Sequence, residues 1–301
     1  PPESPPRGTL NAVRTASFRE PALTMLAVHN LAQLHQLQAE RLGPAVALRY
    51  KRDGLIHDLS WAEYHAQSLA CAAALVDAGI APGDRVGLLA ENRVEWLIAD
   101  MGILAAGAVN VPPHAPLTAP QVQYQLRDAG VRWLFVSGAE QLAKVESVRA
   151  DLPDLQGVVL FDAHSPSPDA LAWPAFLQRG RRSLARRREE LGRRLENLGE
   201  ADLATIMYTS GTTGHPKGVM LTHGNLLSNA MASDQAAPRA PGDLLLNWLP
   251  FSHIYARTVD HYLGLVAGVP LALAETPDTV LADLAQVQPT HLSSVPRLYE
   301  K

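Results

Sequence analysis

The sequence predicts an α/β fold of mostly parallel sheets flanked by helices. Short apolar runs recur along the chain, helical patterns fill the intervals between them, and the runs are continuous rather than alternating. Continuous apolar runs fit strands covered on both faces. A strand–helix–strand rhythm implies parallel neighbours joined by crossovers.

The elements follow in order. The chain opens Pro1-Pro2-Glu3-Ser4-Pro5-Pro6, with no Met and no basic-then-apolar signal pattern, so residues 1–25 are expected to be a clipped or disordered leader. Ser60 can cap a helix running from Trp61 toward Asp77, with Glu63 three residues after the cap and Gly79 just past the end. Pro82-Gly83-Asp84 turns the chain into a buried strand at 86–90. Asn92 is expected to start a helix through Trp96 and Ile103 that ends near Gly107. Runs at 133–136, 158–161, 205–208, 244–248 and 292–295 continue the strand series. The stretch 179–194 is rich in arginine. It reads as a solvated helix with Leu184, Leu191 and Leu195 on its inner face; the sharper alternative is contact with phosphates or anionic lipid headgroups. No internal repeat is visible.

Composition removes several classes. With 301 residues, 47% hydrophobic and 19% charged, the chain can bury a core of useful size. A formal net charge of −4 argues against a nucleic-acid binder. The single cysteine, Cys71, sits in an apolar stretch, cannot form an internal disulfide and fits a reducing, cytoplasmic setting as a small core residue. The apolar stretch 262–274 is broken by Gly264, Gly268 and Pro270, so no run reaches the roughly 18 residues of a membrane span. The histidines lack metal-ligand spacing, and neither a G-x-S-x-G elbow nor a strand-borne G-x-G-x-x-G is present.

The chemistry lies in the run Tyr208-Thr209-Ser210-Gly211-Thr212-Thr213-Gly214-His215-Pro216-Lys217-Gly218. It follows a buried strand and precedes a helix start at Thr222 and Asn225. Glycines 211, 214 and 218 let backbone N–H groups approach an anion. The hydroxyls of Thr209, Ser210, Thr212 and Thr213 can donate to phosphate oxygens or ligate magnesium, and Lys217 brings a cation. It is not a Walker A loop, because His215 and Pro216 separate Gly214 from Lys217 and Gly218 follows the lysine.

This run resembles the signature of the adenylate-forming (AMP-binding) superfamily. Three other segments agree with it. Leu59-Ser60-Trp61-Ala62-Glu63 is similar to the family's early helix start, residues 103–112 to its second core motif, and Leu249-Pro250-Phe251-Ser252-His253-Ile254-Tyr255 to its fourth. The resemblance implies that residues 26–301 form an incomplete amino-terminal domain of the adenylate-forming fold. It implies ATP-dependent activation of a carboxylic acid to an acyl-adenylate, then transfer to coenzyme A. Thr209, Ser210, Gly211, Thr212, Thr213, Gly214 and Lys217 would hold the nucleotide phosphates, with Thr209 also touching Mg2+. His253 would line the acyl and adenylate pocket beside Lys217 as the second chemical residue. Tyr255 and Arg257 either line the acyl entrance or serve as helix packing and a surface charge. The sequence from 294 to 301 and the segment after the fourth motif are most like long-chain fatty acyl-CoA synthetases. An aryl-acid or carrier-protein ligase, or a truncated chain that only binds nucleotide, remain the alternatives. The 301 residues contain no Tyr-Gly-x-Thr-Glu segment, no later ribose-binding aspartate and no mobile carboxy-terminal domain, so the chain alone is expected not to turn over. The implied partners are fatty acid, ATP and coenzyme A, with peripheral membrane contact and a homodimer left open.

Overall fold

The computed structural model describes residues 28–162, 168, 170–209, 216–276 and 278–298. The expected leader lies outside the described residues. Helix α1 (Leu31–Leu42) leads into β1 (Val46–Arg52), β2 (Leu55–Ser60) and α2 (Trp61–Asp77). Strands and helices then alternate through β3 (Arg85–Leu89), α3 (Val94–Ala105), β4 (Val109–Val111), α4 (Ala119–Asp128), β5 (Val131–Val136) and α5 (Ala139–Glu146). Next come β6 (Gly157–Leu160), β7 (Leu171–Ala172), the long helix α6 (Trp173–Asn197), β8 (Leu203–Thr209) and β9 (Lys217–Thr222). After α7 (His223–Ala236) and β10 (Leu245–Asn247), the helical stretch 254–267 forms α8. It is built of Ile254–Ala256, a π-helical turn over Arg257–Tyr262, and Leu263–Ala267. Strand β11 (Leu271–Leu273), α9 (Val280–Val287) and β12 (His291–Leu292) close the series.

Two sheets result, in the orders β7-β6-β5-β3-β4-β8-β9 and β12-β10-β11-β1-β2. The mostly parallel arrangement expected from the strand–helix rhythm is present. Each sheet is parallel except for one antiparallel edge strand, β9 in the first and β2 in the second. Both edge strands are largely exposed, which an antiparallel edge tolerates because one face can meet water. The β1–β2 hairpin turns on Asp53 (φ 53°) and Gly54 (φ 75°). An Asp-Gly pair with both residues at positive φ matches the right-handed twist of a hairpin.

Local chemistry sets the helices. Ser60 Oγ accepts from Glu63 N (3.2 Å), and the Glu63 carboxylate accepts from Ser60 N (3.0 Å), the reciprocal box the sequence implied. Thr222 and Asn225 form a second such box at the start of α7. Helices α2 and α3 contribute to one continuous core with Leu48, Leu245 and Leu271 of one sheet and Val86, Leu88 and Phe135 of the other. Helix α6 crosses α2 so closely that a Cβ on Gly180 would stand 1.7 Å from the carbonyl oxygen of Ala70. Leu191 is buried, and Leu184 and Leu195 are half-buried against this core. Part of its charge is structural: Arg186 and Arg187 bind Asp77 at the end of α2, and Arg194 donates to the carbonyls of Ile80 and Ala106.

Most strands begin and end within two residues of the expected runs, and two boundaries differ for an identifiable reason. Helix α3 begins at Val94, not Asn92, and its capping position is Arg93, which makes no side-chain cap bond. The Asn92 amide is engaged across the sheets instead. The run 292–295 pairs only at His291–Leu292, and Pro296 then opens a short 3-10 turn. A proline lacks the ladder donor and restricts the residue before it, which ends the strand.

Arg257 requires a correction. It is neither at an entrance nor at the surface: its side chain is 0% exposed. Arg257 Nη2 donates to Asp100 Oδ1 (2.5 Å), itself 0% exposed, and Nη1 donates to Thr205 Oγ1 (2.8 Å). Asn110 Nδ2 (2.6 Å) and the Tyr262 hydroxyl (3.0 Å) also donate to Asp100, and His261 Nδ1 lies 3.4 Å from it. Burial alone would raise the Asp100 carboxyl, but Arg257, then His261 and Asn110, hold it well below the usual carboxylate range. The cluster ties α3, β4, β8 and α8 together. Removing one partner of a buried ion pair leaves the other charge uncompensated. Arg257→Met is therefore expected to lower the unfolding free energy by about 3–5 kcal/mol in urea titration, with part recovered on adding Asp100→Asn. Equal loss in the single and double variants would sink the pairing.

His35, His223 and His261 are buried, and burial is the main cause lowering each below its ordinary value, His223 to about 4. Between about pH 4 and 6.5 the unfolded chain thus binds protons that the folded chain refuses, so stability falls as the pH drops through that window. Asp260, raised to about 6 mainly by burial, acts in the opposite sense as a single group. The melting temperature should fall from pH 7 to pH 5. His223 alone accounts for on the order of 3 kcal/mol when fully titrated. A melting temperature flat over that range would contradict this.

Candidate functional site

In open parallel sheets, ligands bind beyond the carboxyl ends of the strands. Three such ends, those of β8, β10 and β4, lie beside the candidate residues. Strand β8 ends at Thr209, and β9 begins at Lys217 directly opposite it in the antiparallel register. The two anchors of the Gly/Ser/Thr loop are therefore fixed side by side, both exposed. Ser210, Gly211, Thr212, Thr213 and Gly214 lie outside the described residues. A Cβ on Gly218 would come within 2.9 Å of Ile206 Cγ2 and 3.3 Å of Tyr208 Cζ, so glycine is what lets β9 return this close to β8. The base of the loop is pinned to α4. Tyr208 donates to Asp128 Oδ2 (2.5 Å), Tyr124 donates to the Pro216 carbonyl (3.2 Å), and the two rings meet edge to face at 6.3 Å. Burial, then the Asp128 carboxylate, pushes the Tyr208 phenol up.

His253 follows β10 and caps α8. Its Nδ1 accepts from Tyr255 N at 3.2 Å. That bond leaves the proton of the neutral imidazole on Nε2 of an exposed residue. Tyr255 is 43% exposed beside it, while Phe251 is buried against Trp96, with ring centroids 5.2 Å apart.

His114, which carries no motif of its own in the sequence, joins this group. His114 stands just beyond β4, and its Nδ1 lies 2.7 Å from Ser252 Oγ. Desolvation, then the nearby His253, lowers its pKa. The available signal was its position two residues past the 103–112 motif, where a strand end faces the loops. The structure thus groups Thr209 with Lys217, and His253 with His114, Ser252 and Tyr255. No hydrogen bond joins the two groups among the described residues. Cavities of about 360 and 740 Å³ open beside α6, and neither is lined by a candidate residue.

A hydroxyl and an ammonium side by side at a strand end can donate to a polyphosphate, and an imidazole N–H suits a carboxylate or phosphate oxygen. Thr209 offers one neutral oxygen. Magnesium, which favours oxygen ligands and retains phosphates and waters, would rest chiefly on the nucleotide with Thr209 as one contact. Among the described residues no group of three His, Cys, Asp or Glu could hold a metal ion, and no helix is long and apolar enough to cross a membrane.

The chain is similar to known proteins over most of its length. The chain is 32% identical over 281 residues to the peroxisomal long chain acyl-CoA synthetase 7 of Arabidopsis thaliana, covering 89% of this chain and 39% of that protein. It is 32% identical over 285 residues to the long-chain-fatty-acid–CoA ligase FadD15 of Mycobacterium tuberculosis, covering 93% of this chain and 46% of that protein. It therefore spans less than half the length of these relatives. Its fold is similar to the N-terminal domain of FACL13 from Mycobacterium tuberculosis, with a TM-score of 0.69 and 27% identity over 90% of this chain and 64% of that one. It is also similar to the anthranilate CoA ligase AuaEII, solved with anthranoyl-AMP, with a TM-score of 0.76 and 21% identity over 88% of this chain and 49% of that one. With residues 36–301 matching the AMP-binding enzyme family, this chain belongs to that family.

Proposed function

We propose that this chain provides the phosphate-handling and carboxylate-facing half of an ATP-dependent ligase that activates long-chain fatty acids. The observation that carries this reading is the pairing of Thr209 with Lys217 across the mouth of a Gly/Ser/Thr loop at the carboxyl end of β8. In the first half-reaction a carboxylate oxygen attacks the α-phosphorus of ATP, and the bond to pyrophosphate breaks. Charge grows on the leaving pyrophosphate, where the Lys217 ammonium and Thr209 hydroxyl neutralise it. Catalysis of this kind is positioning plus charge stabilisation. The His253 Nε2–H orients the attacking carboxylate. In the second half-reaction the thiol of coenzyme A takes the acyl group and AMP departs. Mg2+ bound with the nucleotide would add further charge neutralisation. The family and the names of the relatives support ATP, a fatty acid and coenzyme A as substrates.

An amino acid is a poor fit. The first acidic residue after the fourth motif is Asp260, which is 1% exposed and already bonded to Asn247, so it cannot meet a substrate ammonium. The exposed arginines of α6 support peripheral contact of a cytoplasmic enzyme with anionic lipid.

Two measurements on the intact ligase polypeptide test this. Lys217→Ala should cut ATP–pyrophosphate exchange by about 10²–10³-fold at unchanged circular dichroism, the scale of losing one preorganised electrostatic contact. Unchanged exchange would remove Lys217 from the phosphate role. In a panel of acids with coenzyme A and a carrier protein as competing acceptors, long-chain fatty acids with coenzyme A should give the highest kcat/KM. Preference for an aryl acid or for the carrier protein would reassign the substrate.

A further inference from the structure

Three side chains that take no part in the chemistry above form a hydrogen-bonded chain ending on the backbone beside His253. Asn92 Nδ2 donates to Asn247 Oδ1 (2.7 Å) and to the Leu249 carbonyl (2.6 Å), while Asn92 Oδ1 accepts from Phe251 N (2.9 Å). Asn247 Nδ2 donates to the same Leu249 carbonyl (3.0 Å) and to Asp260 Oδ2 (2.8 Å). Asn247 and Asp260 are each 1% exposed.

The three residues come from different parts of the fold. Asn92 sits between β3 and α3 on the seven-stranded sheet, Asn247 ends β10 of the five-stranded sheet, and Asp260 lies in the π-helical turn of α8. Their bonds converge on residues 249–251, and the next two residues are Ser252 and His253. The Asn92 amide binds the carbonyl of one residue and the N–H two residues on, as a neighbouring strand would; Pro250 between them has no N–H to offer. An amide suits this place because it accepts and donates at once. Phe251, buried against Trp96, holds the same segment from its side-chain end.

We propose that Asn92, Asn247 and Asp260 are positioning residues that fix the 249–251 backbone, and through it the placement of His253 against the reacting carboxylate. This rests on the ligase reading given above. Asn92→Ala and the near-isosteric Asn92→Asp separate it from a merely structural role. The aspartate keeps the acceptor for Phe251 N–H but withdraws both donors. In the intact ligase each variant should lower kcat for ATP–pyrophosphate exchange about tenfold or more, the scale of one mispositioned contact. The KM for ATP should stay unchanged, since the Thr209/Lys217 hairpin is untouched. Hydrogen exchange should quicken at the Phe251 and His253 amides in Asn92→Ala, with the overall fold retained. Unchanged amide exchange in the loop, or faster loop exchange with normal kcat, overturns the positioning role. Normal kinetics in both Asn92 variants beside collapsed exchange in Lys217→Ala overturns the proposal and leaves the ligase reading standing. Unchanged exchange in Lys217→Ala as well overturns both.

Discussion

The buried contact between Asp100 and Arg257 is the constraint on which the rest of the arrangement depends. Charges removed from water are costly unless paired and fully hydrogen-bonded, so the position of one such group dictates the position of the other. Here the carboxylate belongs to α3 and the guanidinium to α8, and Thr205 of β8 and Asn110 of β4 each add a bond, while Arg257 Nε has no hydrogen-bond partner among the described residues. The helix that follows the His253 loop is thereby locked against the strand that ends at Thr209. The two chemical groups share no direct bond among the described residues, yet both are referenced to the same buried cluster.

A second level of control works on the loops themselves. The ends of the Gly/Ser/Thr loop are set by sheet register and by two tyrosines reaching to and from α4. The His253 loop is set by side-chain amides that imitate a strand. In both cases neighbouring residues carry most of the restraint, although His253 also caps α8 and Thr209 and Lys217 are themselves a ladder pair. All three residues stay exposed.

The parts legible in the sequence were those governed by local chemistry. The boxes at Ser60 and Thr222, the strand series and the inner face of α6 all follow from spacing within a few residues. The hairpin on Asp53-Gly54 carries an equally local signal, an Asp-Gly pair between two apolar-containing runs. Asn92 shows locally only a capping propensity; its partners Asn247, Leu249 and Phe251 lie more than 150 residues on, where no local pattern points. The burial of Arg257 is not legible for the same reason: a charged residue looks exposed until its partner is known, and Asp100 is 157 residues away. His114 needed the second sheet to bring Ser252 and His253 beside it.

The π-helical turn in α8 has a consequence for how this segment can change. A regular helix advances about 100° per residue, and one additional residue in a turn shifts the phase of everything before it relative to everything after. His253 caps the exposed start of α8, while Arg257, Asp260, His261 and Tyr262 face the interior from its wide turn. Their relative phase is set by the count of residues between them as much as by their identity. Over 254–262 the chain is therefore more open to exchange of side chains than to gain or loss of a single residue, which would turn either the imidazole or the guanidinium out of place.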